Sequence, residues 1–124
     1  MPVKLPEIDN FRVRLKRHCN VLSHKLIAIA FTNNGHIITF ATNMSIRGRI
    51  DHTFTIHAED NLIGKLVRVK ARERFGKINV IIARKGQKGW LIAKPCSQCQ
   101  EKLNNYGISE IYYTTNNSII KRLR

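Results

Sequence analysis

Lys77-Ile78-Asn79-Val80-Ile81-Ile82-Ala83 is the stretch that decides the fold. Four of its seven residues are Ile or Val, a nearly continuous apolar run that fits a strand buried on both faces. Helical patterns flank it. Upstream, over about residues 57–72, Ala58, Leu62, Ile63, Leu66 and Val69 fall at helical spacing. Asn61, Lys65, Arg68 and Arg72 form a polar, largely basic ridge on the other side, and Gly76 ends the segment. Downstream, Arg84 to Gly89 reads as a basic loop and Trp90 to Ala93 as loop or short strand. Pro95-Cys96-Ser97-Gln98-Cys99 then opens a helix that ends near Gly107, a good residue for a left-handed cap.

The outer elements follow the same logic. Leu26 to Phe31 is a continuous apolar run, Asn33-Asn34-Gly35 a turn signal, and Ile37 to Ala41 a second strand, so the three make a hairpin. Before it, Asp9 or Asn10 caps a helix carrying Phe11, Leu15, Cys19 and Leu22 at helical spacing. Asn43 to Thr53 is polar and basic and reads as a loop. Ile108 to Thr115 is a fourth strand, and Asn116-Asn117 turns the chain into a fifth over Ser118 to Leu123. The order predicts a three-layer α/β/α domain over residues 1–124 with a central mixed sheet of about five strands. A helical crossover makes strands three and four parallel.

Composition narrows the class. The chain has 124 residues, 43% of them hydrophobic, enough for one domain with a real core. Its longest clean apolar run, Leu26 to Phe31, is far short of the ~20 residues that span a bilayer. The start of the chain lacks the pattern of a secretory signal. A soluble intracellular protein is expected, cytoplasmic, with the nucleus left open. Three cysteines, Cys19, Cys96 and Cys99, are an odd count that suits reduced thiols and a metal or redox role for the close pair.

Net charge is +14, and it is uneven: the last 62 residues carry 14 basic and 3 acidic side chains. Such a field suits polyanions. The plain alternative is a solubility surface.

Two segments carry chemistry: Ile56-His57-Ala58-Glu59-Asp60 and Lys94-Pro95-Cys96-Ser97-Gln98-Cys99. Each sits at the expected start of a helix. An imidazole and two sulfurs one helical turn apart are three ligands that leave a fourth tetrahedral position open, the mark of catalytic zinc. Helix N-termini favour thiolates. Glu59, two residues beyond His57, lies near the metal without being an obligatory ligand.

His57-Ala58-Glu59 with Pro95-Cys96-Ser97-Gln98-Cys99 resembles the signature of the zinc-dependent cytidine and deoxycytidylate deaminase superfamily. The element order is similar from the first helix to the fourth strand. The resemblance implies a single cytidine-deaminase-like domain holding Zn2+ through His57, Cys96 and Cys99. It implies hydrolytic deamination of a cytosine-type base by zinc-bound hydroxide, with Glu59 as proton shuttle. Ala58 and Cys96 backbone groups would contact the base, Pro95 would shape the turn, and Asn43 would bind sugar or base.

Other readings stand beside this one. Cys19 would complete a closed, structural Cys₃His site. Redox chemistry at Cys96 and Cys99 leaves His57 and Glu59 unexplained. His18, His24, His36 and His52 read as surface or packing residues. Trp90 reads as core more readily than as a stacking platform. The alternative function is a non-catalytic nucleic-acid-binding module with a structural zinc.

Substrate clues disagree. The charge favours a single-stranded nucleic acid, tracked by Lys65, Arg68, Arg72, Arg74, Lys77 and the 84–94 loop with Lys88 and Trp90. Small size and a returning fifth strand resemble the members that act on free cytidine. Arg47 and Arg49 are candidates for a nucleotide phosphate. The base itself, cytosine against adenine or guanine, depends on pocket shape. Family members are often dimers or tetramers, and nothing in this sequence fixes a homo-oligomer.

Overall fold

A computed structural model describes residues 3–11, 25–42, 44–47, 53–56, 58–85, 89–95, 97–116 and 120–123. The central sheet runs in the order β2-β1-β5-β7-β8, with a short strand β6 paired to β5. Its strands are β1 (Lys25–Phe31), β2 (Ile37–Thr42), β5 (Asn79–Lys85), β6 (Trp90–Leu91), β7 (Ile111–Thr114) and β8 (Ile120–Arg122). Among the described strands only β5 and β7 are parallel, pairing Val80 with Ile111 and Ile82 with Tyr113. The other pairs are antiparallel. This is the mixed sheet expected from the sequence, and β8 is the returning fifth strand.

β5 is central because both its neighbours bury it. Alternate residues face opposite layers. Ala28, Ala30, Val80, Ile82 and Ile111 point to the side covered by helices α1 (Ala58–Arg68), α2 (Ala71–Phe75) and α3 (Ser97–Tyr106). Leu62, Leu66 and Leu103 fill that layer and are fully buried. Each contributes roughly 2 kcal/mol by burial. Ile27, Ile29, Phe31, Ile81 and Tyr112 point to the other side, where Ile8, Phe11 and Trp90 cover them. The expected first helix begins at residues 9–11, and the rest of it, with Cys19, lies outside the described residues.

At the hairpin turn Gly35 takes φ +82, and its place lies close under the Lys4 carbonyl. The Lys4 amide donates to the Asn33 carbonyl at 2.9 Å, so the N-terminal arm is tied to that turn. On β7 the Tyr112 hydroxyl donates to the Glu110 carboxylate. Burial first, then that carboxylate, pushes the Tyr112 pKa up to about 12.

Three expectations change. The segment read as a loop from Asn43 to Thr53 contains β3 (Met44–Arg47), paired antiparallel with β4 (Thr53–Ile56) as a separate two-stranded sheet. Its strands pair with each other, which local composition does not reveal. The helix expected over 57–72 breaks after Arg68. Lys70 adopts a left-handed conformation, φ 53, and the chain restarts as α2. Ala71 is buried in consequence, while Val69, expected on the apolar side, is 42% exposed. Finally, β5 starts at Asn79 instead of Lys77, because its pairing with β1 runs only from Phe31↔Asn79 to Lys25↔Lys85. Ile78 instead accepts a hydrogen bond from Ser109 at 2.8 Å. Among the described residues no helix is long and apolar enough to cross a membrane.

Two glycines test this geometry in opposite directions. Gly64 lies exposed inside α1, and a Cβ there meets nothing within 4 Å. Gly64→Ala is expected to stabilise the fold by about 0.5–1 kcal/mol. Gly107 has φ +101, and a Cβ would approach the Arg72 guanidinium to 3.0 Å. Gly107→Ala is expected to destabilise by about 1–2 kcal/mol. Urea denaturation of the two variants checks both signs.

Candidate metal centre

α1 and α3 pack on the same face of the sheet. Lys102 on α3 reaches Asp60 in the first turn of α1, at 2.9 Å. Beyond α1, the Arg72 guanidinium on α2 lies against Gly107 and over the Tyr106 ring, 5.7 Å from its centroid. α1 runs against β2, with Asn61 at Thr42 and Lys65 at Phe40, and β2 has the direction of β5 because each is antiparallel to β1. α3 returns the chain from β5 to the parallel β7, so it also runs against β5. The two helices therefore point the same way, with both N-termini towards one end of the molecule.

That end holds the candidate site. Ala58 and Glu59 open α1 and are buried, at 0% and 3% exposure. Cys99 lies in the first turn of α3 and is buried at 2%. Pro95, also buried, precedes that turn, and its carbonyl accepts from the Gln100 side-chain Nε2 at 2.8 Å. His57, Cys96 and Asn43 lie outside the described residues, as do Arg49 and Lys88. Arg47 falls on β3, and its side chain is not described.

Glu59 supplies the test of fit. Its Oε1 is buried and has no hydrogen-bond partner among the described residues. A buried carboxylate oxygen left alone costs about 1–3 kcal/mol or more. A bound water, a metal-held ligand or a substrate would supply the partner. A cysteine at one helix start and a carboxylate at the adjacent one, with an imidazole and a second thiol next to them in sequence, is a donor set that zinc takes readily.

Sequence reading missed the contacts that place α1. The Asn61 amide donates to the Thr42 carbonyl at 3.1 Å, and the Lys65 ammonium to the Phe40 carbonyl at 2.8 Å. Two side chains four apart on a helix thus reach two carbonyls two apart on β2. The spacings match, at roughly 6 Å along the helix and 6–7 Å along the strand. Lys65 also lies over the Phe40 ring, 5.5 Å from its centroid. The Lys65 ammonium, expected to contact phosphate, is thus held on β2. The i,i+4 spacing was visible, but nothing in the sequence showed what it faced.

The approach to α3 is fixed similarly. The buried Thr114 hydroxyl donates to the Leu91 carbonyl at 2.7 Å. The Thr114 carbonyl accepts from Ala93 at 3.0 Å, and the Asn116 side chain accepts from the Ile92 amide at 3.0 Å. Trp90 is 2% exposed, and its indole N–H donates to Asp9 at 3.1 Å. This is the packing role that the sequence favours for Trp90 over stacking on a base. Arg68 is exposed, with its Nε on the Gly64 carbonyl at 3.3 Å.

Comparison with protein families agrees with this geometry. The model for the cytidine and deoxycytidylate deaminase zinc-binding region matches residues 12–115. The chain belongs to that family, its metal is Zn2+, and at this level it is a hydrolytic deaminase. No curated protein matches the chain significantly.

Lys65→Met leaves the Phe40 carbonyl without its charged donor. A loss of about 1–3 kcal/mol is expected, with most of it restored by Lys65→Arg, and urea denaturation of both variants reads it. Cys99→Ser is expected to lower zinc per chain well below one, as metal analysis of the purified protein will show.

Proposed function

We propose that the protein hydrolyses the exocyclic amine of a cytosine-type base, in cytidine, deoxycytidine, their nucleotides or a single-stranded nucleic acid. The observation that carries this reading is the buried Glu59 oxygen without a partner, at the start of α1 and beside the helix of Cys99. His57, Cys96 and Cys99 would hold the zinc, at the starts of the two parallel helices. Zinc lowers the pKa of a coordinated water towards ~7, so a nucleophile is available at neutral pH.

The chain's own groups do the rest. The Glu59 carboxylate takes a proton from the attacking water and delivers it to the ring nitrogen, then assists departure of the amine. A carbon–oxygen bond forms, the carbon–nitrogen bond breaks, and ammonia leaves with one water consumed. Burial of Glu59 keeps bulk water from its oxygen, which strengthens its interaction with the reacting groups. The backbone at Ala58 and Cys96 would orient the base, and Pro95 would shape the turn. Asn43 would bind the sugar or base, and Arg47 or Arg49 a phosphate.

Glu59→Gln is expected to keep one zinc per chain and the fold while deamination falls by about 10²–10⁴ or more. The assay is ammonia release from cytidine, deoxycytidine, their monophosphates and single-stranded DNA and RNA. An active Glu59→Gln protein overturns the mechanism. Wild-type protein with full zinc and no turnover on any of these substrates favours a binding module.

A further inference from the structure

We propose that a second surface, at the end of the molecule opposite the metal centre, binds the phosphodiester backbone of a single-stranded nucleic acid. It is built from Arg68, Lys70, Arg72, Arg74 and Lys77. All five are exposed, within ten residues that hold one acid, Glu73. None of the five forms an ion pair among the described residues. Five like charges so close repel one another in the unbound protein, and a polyanion relieves that repulsion.

The local geometry suits phosphate. Arg72 lies over the Tyr106 ring, and Arg74 over the Phe75 ring at 5.4 Å. Stacking against a ring restrains the guanidinium plane while leaving N–H groups for phosphate oxygens. The break at Lys70 turns the chain so that α2 adds its cations to those at the end of α1. A membrane surface fits less well. Among the described residues the exposed large apolar neighbours are Val67 and Val69, and interfacial helices insert larger apolar faces.

Position gives the surface its meaning. α1 runs eleven residues from the Glu59 end to Arg68, about 16 Å. Lys65, partway along, is turned onto β2 and does not bridge the gap. The phosphate of a single nucleotide held at the metal centre is one sugar away from its base and does not reach Arg68 or Arg72. The surface is therefore built for a chain of nucleotides. Binding there does not require the deamination reading, and it is measured without turnover.

The experiment uses the full chain and fluorescence anisotropy with labelled 20-nucleotide oligothymidylate and oligouridylate, which contain no cytosine. Wild type is expected to bind, with affinity falling steeply as potassium chloride rises. The variant Arg68→Gln/Arg74→Gln/Lys77→Gln is expected to bind about ten- to a hundredfold more weakly at 0.1 M salt. Its log–log salt slope should be shallower by about 2. A control, Lys4→Gln/Lys121→Gln, removes two exposed charges elsewhere and is expected to change affinity by less than about threefold. Millimolar deoxycytidine monophosphate is expected not to displace the oligonucleotide. The proposal is overturned if the triple variant binds like wild type, if the control weakens binding as much, or if the nucleotide competes. Binding to anionic phosphatidylserine vesicles without binding to either oligonucleotide also overturns it. If the triple variant melts early, Arg74→Gln and Lys77→Gln are read singly, each expected to reduce the slope by about 0.7.

Discussion

Burial of Leu62, Leu66 and Leu103 against one face of the sheet is the constraint on which the rest depends. It lays α1 and α3 on the same layer, and both run against the direction of β5, so they are parallel. Two parallel helices put two N-termini together. Those ends carry partial positive charge and unused N–H groups, which favour thiolates and carboxylates. That the helix starts carrying Glu59 and Cys99 lie towards one end of the molecule is thus a consequence of how an apolar layer packs.

Side-chain hydrogen bonds refine this placement beyond what apolar burial achieves. Asn61 and Lys65 fasten α1 to edge strand β2, and Thr114 and Asn116 fasten the segment before α3 to the end of β7. Both helix starts are held from outside the site. Hydrophobic contact is non-directional, whereas hydrogen bonds to carbonyls fix position along a helix. A proton shuttle needs that second kind of restraint, because proton transfer fails when the groups are misplaced by an ångström.

The same parallel arrangement polarises the molecule. Helix N-termini and a buried carboxylate occupy one end, and five exposed cations the other. Arg68 sits in the last turn of α1, where cations also complement the helix dipole. Dipole compensation accounts for Arg68 and ring stacking for Arg72 and Arg74, and neither accounts for the charges of Lys70 and Lys77.

The sequence by itself determined the element order, the hairpin, the doubly buried β5 and the parallel crossover. Periodicity and turn residues are local, and a run such as Val80-Ile81-Ile82 has few other homes. It also determined the family, through two short motifs. Tertiary structure alone decided what faces what. Lys65 and Arg68 look alike in sequence, yet one ammonium is turned onto the Phe40 carbonyl and the other cation is exposed. Trp90 became a core residue because Asp9, 81 positions away, receives its N–H. The break at Lys70 and the β3–β4 pair were equally hidden. Each depends on a pairing partner outside the segment itself or on a backbone conformation that no residue type there demands, and local pattern carries no record of either.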